Sequence, residues 1–442
     1  MKHNNKSGFS LGTILTLCLT AAVTVGCLFL FGKIRGGNPD VRMDAQRVIG
    51  VVHTVIQGAT AAPAPQSTVR TVTVTLAPVT AAPFTAQPQP QATSAPAYPQ
   101  GQSYSFSLTA GGLLSFQSDI SDTVYNKSEK AADYRAIVSP LSAKVYADMN
   151  LVTFPQLLNT SDHKYGDALA PESAADAIRL LGVDEVVLGC EHILDQGAQG
   201  AQDTVRALNA RGLMCEGVNA SGASQNRVLQ LNGGAVAVLS YTDVLTAKSK
   251  NAIKQDGALL RPFDLDTVRQ DISLVRGQGA RCVVVCLYWG RADAASITNA
   301  QRSTAQALAQ MGADVILGVR PSRVLPMEII SCTGEDGRPR QAFVAYSLGT
   351  LLSESREGYD ISGCLLHLNI AVDAQGKVTF SSAEYTPTYI WRQSVNGKTQ
   401  YRILCSADPA PEEMTSQQKE VMQRALNRIQ TTLADGPVTQ RK

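Results

Sequence analysis

The chain has 442 residues, room for one large domain with appendages or for two smaller ones. Its net charge of +2 comes from 39 basic and 37 acidic side chains, and no segment clusters Lys and Arg as a nucleic-acid surface requires. The nine cysteines fall at irregular spacing with no C-x-x-C, which excludes a zinc ribbon or a disulfide framework. Buried free thiols are expected at Cys190, Cys215, Cys282, Cys286, Cys332, Cys364 and Cys405.

No charge falls between Lys6 and Lys33, and residues 9–31 read FSLGTILTLCLTAAVTVGCLFLF. A helix of that length spans a hydrocarbon core of about 30 Å, and its apolar run is too long for a cleaved signal peptide. Residues 1–8 are therefore expected to be a cytoplasmic tail and 9–32 a transmembrane helix whose partner is the lipid bilayer. Between Arg47 and Asp119 the only charged residue is Arg70, in a stretch dense in Thr, Ala, Gln and Pro. Such a composition cannot bury a core, so 33–102 is expected to be a flexible linker. Lys2 and Lys6 precede the helix and Lys33, Arg35, Arg42 and Arg47 follow it, so charge alone does not orient it. An uncharged Thr/Pro stalk suits a domain raised off a membrane. That places the expected single-pass protein in the cell membrane, N-terminus cytoplasmic and C-terminal domain outside.

From residue 103 strand and helix patterns alternate. YSFSLTA at 104–110 reads as a strand, 171–181 as a helix with an apolar face of Ala175, Ile178, Leu180 and Leu181, and 185–188 as a strand. A helix is expected at 202–210. The near-continuous apolar runs 235–240 and 282–287 have the pattern of strands buried on both faces, with a helix at 264–276 between them. A helix at 297–311 leads into a strand at 314–317, and a further strand follows at 341–346. The pattern then turns all-β at 364–372, 377–385 and 400–405. In 411–433, Val421, Met422, Ala425, Leu426 and Ile429 recur at helical spacing, either as a helix packed on the domain or as a solvated tail. The order predicts a layered α/β domain over 103–406, with a C-terminal helix and tail over 407–442.

No Walker loop, G-x-S-x-G or G-x-G-x-x-G occurs. Beyond the stalk there are three histidines. His163 sits in a polar loop and reads as solvated. His367 lies opposite the Cys364, Leu366 and Leu368 face of its strand and reads as a surface residue. That leaves His192, too few imidazoles to hold two cations about 3.5–4 Å apart in the usual way.

Segment order over 105–366 resembles the CapA family of poly-gamma-glutamate capsule-biosynthesis proteins. The helix at 171–181, then VLGCEHILDQG at 187–197 and DTVRAL at 203–208, is similar to the family's helix, ANNHALDYG and DTL. GADVILG at 312–318 is similar to GADVVIG, and YSLG at 346–349 to YSLGN. The resemblance implies a fold like the calcineurin-type metallophosphatases, a layered α/β/β/α sandwich. The family's metal-site motifs fare differently. Its GD stands here as Gly111-Gly112, NLE as Asn150-Leu151-Val152, and NNH as Cys190-Glu191-His192 with Asp195 kept. HWGxE becomes Tyr288-Trp289-Gly290-Arg291-Ala292, and GHHPH becomes Gly318-Val319-Arg320-Pro321-Ser322. Backbone-shaping Gly and Pro survive while most His, Asp and Glu do not.

The resemblance thus implies a catalytically degenerate member serving capsule or cell-envelope polymer biosynthesis or binding, with no cofactor expected. The alternatives are a diverged metal-dependent hydrolase or transferase using Glu191, His192 and Asp195 on polyglutamate or a phosphorylated glycan, and a purely structural envelope protein. Arg291, Arg320 and Arg323 fall at or beside the lost ligand positions, and guanidinium groups bind carboxylate or phosphate bidentately. One expectation is therefore an anion site for a capsule or wall polymer. In it Arg291 and Arg320 grip the anion, His192 and Tyr288 donate hydrogen bonds, and Trp289 forms a stacking wall. The other is that these arginines are ordinary loop residues and that Glu191, costly to bury alone, is paired with one of them.

Overall fold

The computed structural model describes residues 102–441 apart from 130, 160–165, 167, 220–226, 256–259, 261 and 356–360. The expected cytoplasmic tail and transmembrane helix, nearly all of the expected linker and His163 lie outside the described residues. Among the described residues no helix is long and apolar enough to cross a membrane.

The fold is mixed α/β, built from two facing sheets. Strand β1 (Tyr104–Leu114) is the hub of a nine-stranded sheet. On one side it pairs in parallel with β2 (Met149–Thr153), followed by β3 (Glu185–Val187) and β4 (Met214–Glu216). The second sheet begins with the hairpin of β5 (Val228–Leu231) and β6 (Gly234–Thr242). From β6 it runs in parallel through β7 (Cys282–Tyr288) to β8 (Val315–Val319), and its far edge is a hairpin of β9 (Met327–Thr333) and β10 (Pro339–Ala345). The chain then returns to the first sheet. Short β11 (Thr350–Leu352) joins β1 in parallel, and β12 (Ser362–Val372), β13 (Val378–Val395) and β14 (Lys398–Cys405) add antiparallel on its other side. A last short strand, β15 (Thr439–Gln440), lies along β13.

Helices cover both outer faces, and the apolar periodicity of each explains where it sits. The first group comprises α1 (Ser118–Val124), α2 (Arg135–Ser142), α3 (Ala174–Leu180) and α4 (Gly197–Asn209). Ile137, Leu141, Ile178 and Val205 from these helices pack on Val152 and Val186 of the first sheet. A short α5 (Ala247–Gln255) follows β6. On the second sheet, α6 (Leu265–Gly277), capped by Asp264, and α7 (Asn299–Met311), opened by a Thr298–Gln301 capping box, bury Val268, Ile272 and Leu308 against Val283, Val285 and Ile316. Between the sheets Phe106, Leu108 and Leu151 meet Val236, Val284 and Leu317. At one border Arg227 ties the layers together, reaching Glu185 on β3 at 3.2 Å and Glu216 on β4 at 3.0 Å.

The expected strands and helices appear with adjusted ends. The helix expected at 202–210 starts earlier, at Gly197. The strand expected at 377–385 runs on to Val395, because Tyr389 and Trp391 are buried against a further helix, α8 (Ser416–Leu433). That helix settles the C-terminal alternative, since Met422, Ala425, Leu426, Ile429 and Leu433 are buried against the domain. Strands β2, β4, β5, β9, β11 and β15 and helices α1, α2 and α5 were not anticipated; most are short and carry little periodic signal. Six of the seven described cysteines are free and buried, and Cys332 is half-buried.

His367 corrects an expectation. It is 6 % exposed, with Nδ1 3.0 Å from Thr109 Oγ1 and Nε2 2.9 Å from Thr386 Oγ1. Alternation puts it on the outer face as foreseen. That face is closed by neighbouring strands and by the C-terminal segment, where Arg441 stacks on Tyr146 at 4.5 Å.

Candidate functional site

Parallel strands β6, β7 and β8 end together, and chain leaving a parallel sheet at its carboxyl edge is where α/β folds place their clefts. Asp243 follows β6, Tyr288 ends β7, and Arg320 follows β8. From the other sheet, the turn after β3 delivers Cys190, Glu191 and His192. Between them lies a cleft of about 420 Å3 whose lining includes Glu191, His192, Tyr288, Ser322, Thr350 and Glu354.

Its centre is a chain of charges. Asp195 Oδ2 accepts from His192 Nδ1 at 2.8 Å, and His192 Nε2 lies 3.2 Å from Glu191 Oε1. Glu191 Oε2 accepts from Arg320 Nε at 3.1 Å and Nη2 at 3.0 Å. Arg320 also donates to Gly290 O at 2.5 Å, and its guanidinium lies 5.9 Å from the Tyr288 ring centre. The sequence placed two acids around His192; the fold adds the clamp that holds them. Ser249 Oγ donates to Asp195 Oδ1 at 2.9 Å, and Thr246 Oγ1 donates to the same oxygen.

Hydrogen bonding to Glu191, with help from Asp195, raises the His192 pKa to about 9 against the opposing effect of burial. The ring is an imidazolium through neutral pH, with both nitrogens donating. The hydrogen bond from His192 and the charge of Arg320 hold the Glu191 carboxyl below its ordinary value. For Asp195 burial pushes upward, and hydrogen bonds from Thr246, His192 and Ser249 outweigh it. Burial raises the carboxyl of Asp243, which Arg320 only partly offsets. Burial likewise pushes the Tyr288 phenol up, so it stays neutral.

Four of the seven residues singled out in the sequence form this chain: Glu191, His192, Asp195 and Arg320. Tyr288 lines the same cleft. Two do not join it. Trp289 is 4 % exposed, stacks on Tyr346 with ring centres 5.9 Å apart, and donates its indole N–H to Tyr346 O at 3.0 Å. It is a core residue rather than a stacking wall. Gly318 makes room for it, since a Cβ there would strike Tyr346 O and the indole nitrogen. The Arg291 side chain is 81 % exposed and pairs with Asp293 at 2.8 Å, two residues along its own loop. The two-arginine grip is therefore not assembled; Arg291 points elsewhere and Arg320 is committed to Glu191, the pairing that the cost of a lone buried Glu191 led one to expect. Thr246, Ser249, Asp243 and Glu354 went unrecognised. Only Glu354 had a usable signal, five residues beyond YSLG.

A family model described as "Bacterial capsule synthesis protein PGA_cap" matches residues 107–355, more than half of the chain. The chain belongs to this family. It is 26% identical over 188 residues to the capsule biosynthesis protein CapA of Bacillus anthracis, covering 41% of this chain and 43% of that one. It is 26% identical over 219 residues to the PGA biosynthesis protein CapA of Bacillus subtilis (strain 168), covering 48% of this chain and 54% of the relative. The chain thus spans about half the length of these curated relatives. Among solved structures, the NAD nucleotidase NadN of Haemophilus influenzae aligns over 77% of this chain and 64% of its own with 11% identity and a TM-score of 0.41, too low to support a structural argument.

The divalent centre that the metallophosphatase likeness implies does not fit these side chains. A metal-bound imidazole must offer a lone pair, and both His192 nitrogens are engaged by carboxylates that keep it protonated. Of the two Glu191 oxygens, Oε2 is held by the Arg320 guanidinium and Oε1 by His192. At Gly112, where the resemblance places a carboxylate, any Cβ would fall within contact distance of Gly349 O. Among the described residues no three His, Cys, Asp or Glu side chains converge in a metal-holding arrangement.

Proposed function

We propose that this protein serves capsule or cell-envelope polymer biosynthesis as a catalytically degenerate, membrane-anchored binding or scaffolding component of its family, working without a divalent-metal centre. The observation that carries this reading is the Asp195–His192–Glu191–Arg320 chain. Two carboxylates and two cations neutralise one another at the positions where the family resemblance sets metal ligands. Such a chain braces the cleft and leaves its carboxylates no charge to spare for a cation. The metallophosphatase-like α/β/β/α frame would then be a retained scaffold, and its two sheets hold the cleft walls in place.

Metal analysis of the purified full chain, after exposure to Mn2+, Fe2+ and Zn2+ and dialysis, is the test. Well under one equivalent is expected; tightly held metal at one equivalent or more overturns the reading and revives the diverged hydrolase. The anchor rests on residues 9–32 alone. Fractionation should place the full chain with membranes and a chain lacking those residues in the supernatant, and an unchanged distribution removes the anchor from the proposal.

A further inference from the structure

Strands β4 and β5 are edge strands of the two sheets, and at the border between them two acids share one base. Val187 of β3 is paired in register with Glu216 of β4 and lies in the apolar layer between the sheets. Alternation therefore turns Glu185, two residues before Val187, and Glu216 into that layer. Arg227, which leads into β5, donates from Nη2 to Glu185 Oε1 at 3.2 Å and to Glu216 Oε1 at 3.0 Å. Its Nε donates to the same Glu216 oxygen at 3.2 Å, and Nη2 also reaches Cys215 O at 2.9 Å. Two carboxyls bound to one nitrogen are close neighbours, and one guanidinium carries one charge.

The elements packed on the pair bring no second cation among the described residues. Strand β2 sets Leu151 beside Glu185, and β6 presents the uncharged Ser240. Strands β4 and β7 add the thiols of Cys215 and Cys286, which burial pushes up so that they stay neutral. Asp184, next to Glu185, adds negative charge to the surroundings and is itself held by Asn150 Nδ2 at 2.8 Å and by Arg179 at 3.5 Å. Residues 220–226, the chain leading up to Arg227, contain no Asp, Glu, Lys, Arg or His.

Glu185 is fully buried, Glu216 is 6 % exposed, and Glu185 Oε2 has no hydrogen-bond partner. With both carboxyls ionised, one negative charge would stand unbalanced out of water; one proton on the pair makes the cluster neutral. Burial accordingly pushes both carboxyls up, and the charge of Glu185 adds to the rise at Glu216, against the opposing charge of Arg227.

We propose that Glu185 and Glu216 share one proton over Arg227, and that this cluster is a pH-sensitive latch fastening the two sheets beside the central cleft. The closed latch holds the proton. Its release to solvent, which reaches the cluster at Arg227, leaves an unbalanced carboxylate and loosens the border. That border is tied to the cleft, because Leu188 N, three residues before Glu191, donates to Glu216 O at 2.8 Å. Gly217 also lies so close to this turn that a Cβ on it would fall 2.5 Å from Gly189 N. The latch does not depend on what the cleft binds. Both carboxyls are raised, so its contribution is complete below the ordinary value of 4.5 and is lost as pH climbs toward and past neutrality.

The test is urea unfolding of the full chain, comparing wild type with Glu216→Gln and with Glu185→Gln, each of which leaves one acid for Arg227. Relative to either variant, the wild-type folding constant should fall by about tenfold or more between pH 5 and pH 7.5. The comparison cancels the titrations of His192 and His367, which all three proteins share. Loss of a hydrogen bond alone gives a difference that does not change with pH, and that result overturns the proposal. A second reading needs no variant. In wild type, amide hydrogen exchange of β4 and β5, corrected for the intrinsic rate, should accelerate relative to β7 over the same pH range, and a constant ratio overturns the latch.

Discussion

Removing Arg320 tests whether the charge chain braces the cleft. Its backbone sits at φ +103°, a conformation that side chains with a Cβ rarely adopt, so two opposed effects are separable there. The side chains of Arg320 and Glu191 are 19% and 23% exposed, between the surface and the interior. Exposed ion pairs contribute at most about 1 kcal/mol, and breaking a buried one costs about 3–5 kcal/mol. With the Gly290 hydrogen bond lost as well, Arg320→Ala should destabilise by about 2–3 kcal/mol. Arg320→Gly loses the same contacts but relieves about 1–2 kcal/mol of backbone strain, less about 0.5–1 kcal/mol for glycine's added freedom in the unfolded chain. The glycine variant should therefore be more stable than the alanine variant by about 0.5–1 kcal/mol. Urea unfolding at neutral pH reads both. Equal stabilities would refute the strain argument, and a cost below about 0.5 kcal/mol for Arg320→Ala would refute the brace.

His367 gives a pH signature. Burial, helped by the charge of Arg441, lowers its pKa from 6.5 to about 3, so the folded state favours the neutral ring. Its contribution is complete above pH 6.5 and falls by about 1.4 kcal/mol per unit as pH drops toward 3, because only the unfolded chain takes up the proton. Urea unfolding of wild type and His367→Gln should show a stability difference that shifts by about 2 kcal/mol between pH 6.5 and 4.5, and a pH-independent difference refutes the assignment. At Gly112, replacement by Asp would restore the carboxylate of the family pattern but force the side chain into Gly349 O. It should cost about 2–3 kcal/mol or more in urea unfolding and confer no metal binding; a variant of wild-type stability that takes up Mn2+ would contradict the steric argument.

The sequence was most informative where one signal repeats along one element. Unbroken apolar runs at 235–240 and 282–287 could only be strands covered on both faces, and β6 and β7 are the heart of the second sheet. Spacing likewise named an apolar face on α8, and the structure decided that the domain covers it. Glu191, His192 and Asp195 were legible as a group because they are neighbours in the chain and share the resemblance to one family motif.

The partners of Asp195 were not legible, because Thr246 and Ser249 are brought in from 51 and 54 residues away; that Glu191 pairs with an arginine was expected, and only the fold selected Arg320, 129 residues away. Trp289 and Arg291 show the same limit. Positions two residues apart after one strand point to different surroundings, one into the core and the other into solvent. His367 looked like a surface residue because alternation names a face but does not say what covers it. The sequence by itself determined the order of the longer strands and helices and the resemblance to the family. The tertiary structure alone decided that Asp195, His192, Glu191 and Arg320 pair with one another in the cleft, since charge pairing depends on distances that only the packed sheets set.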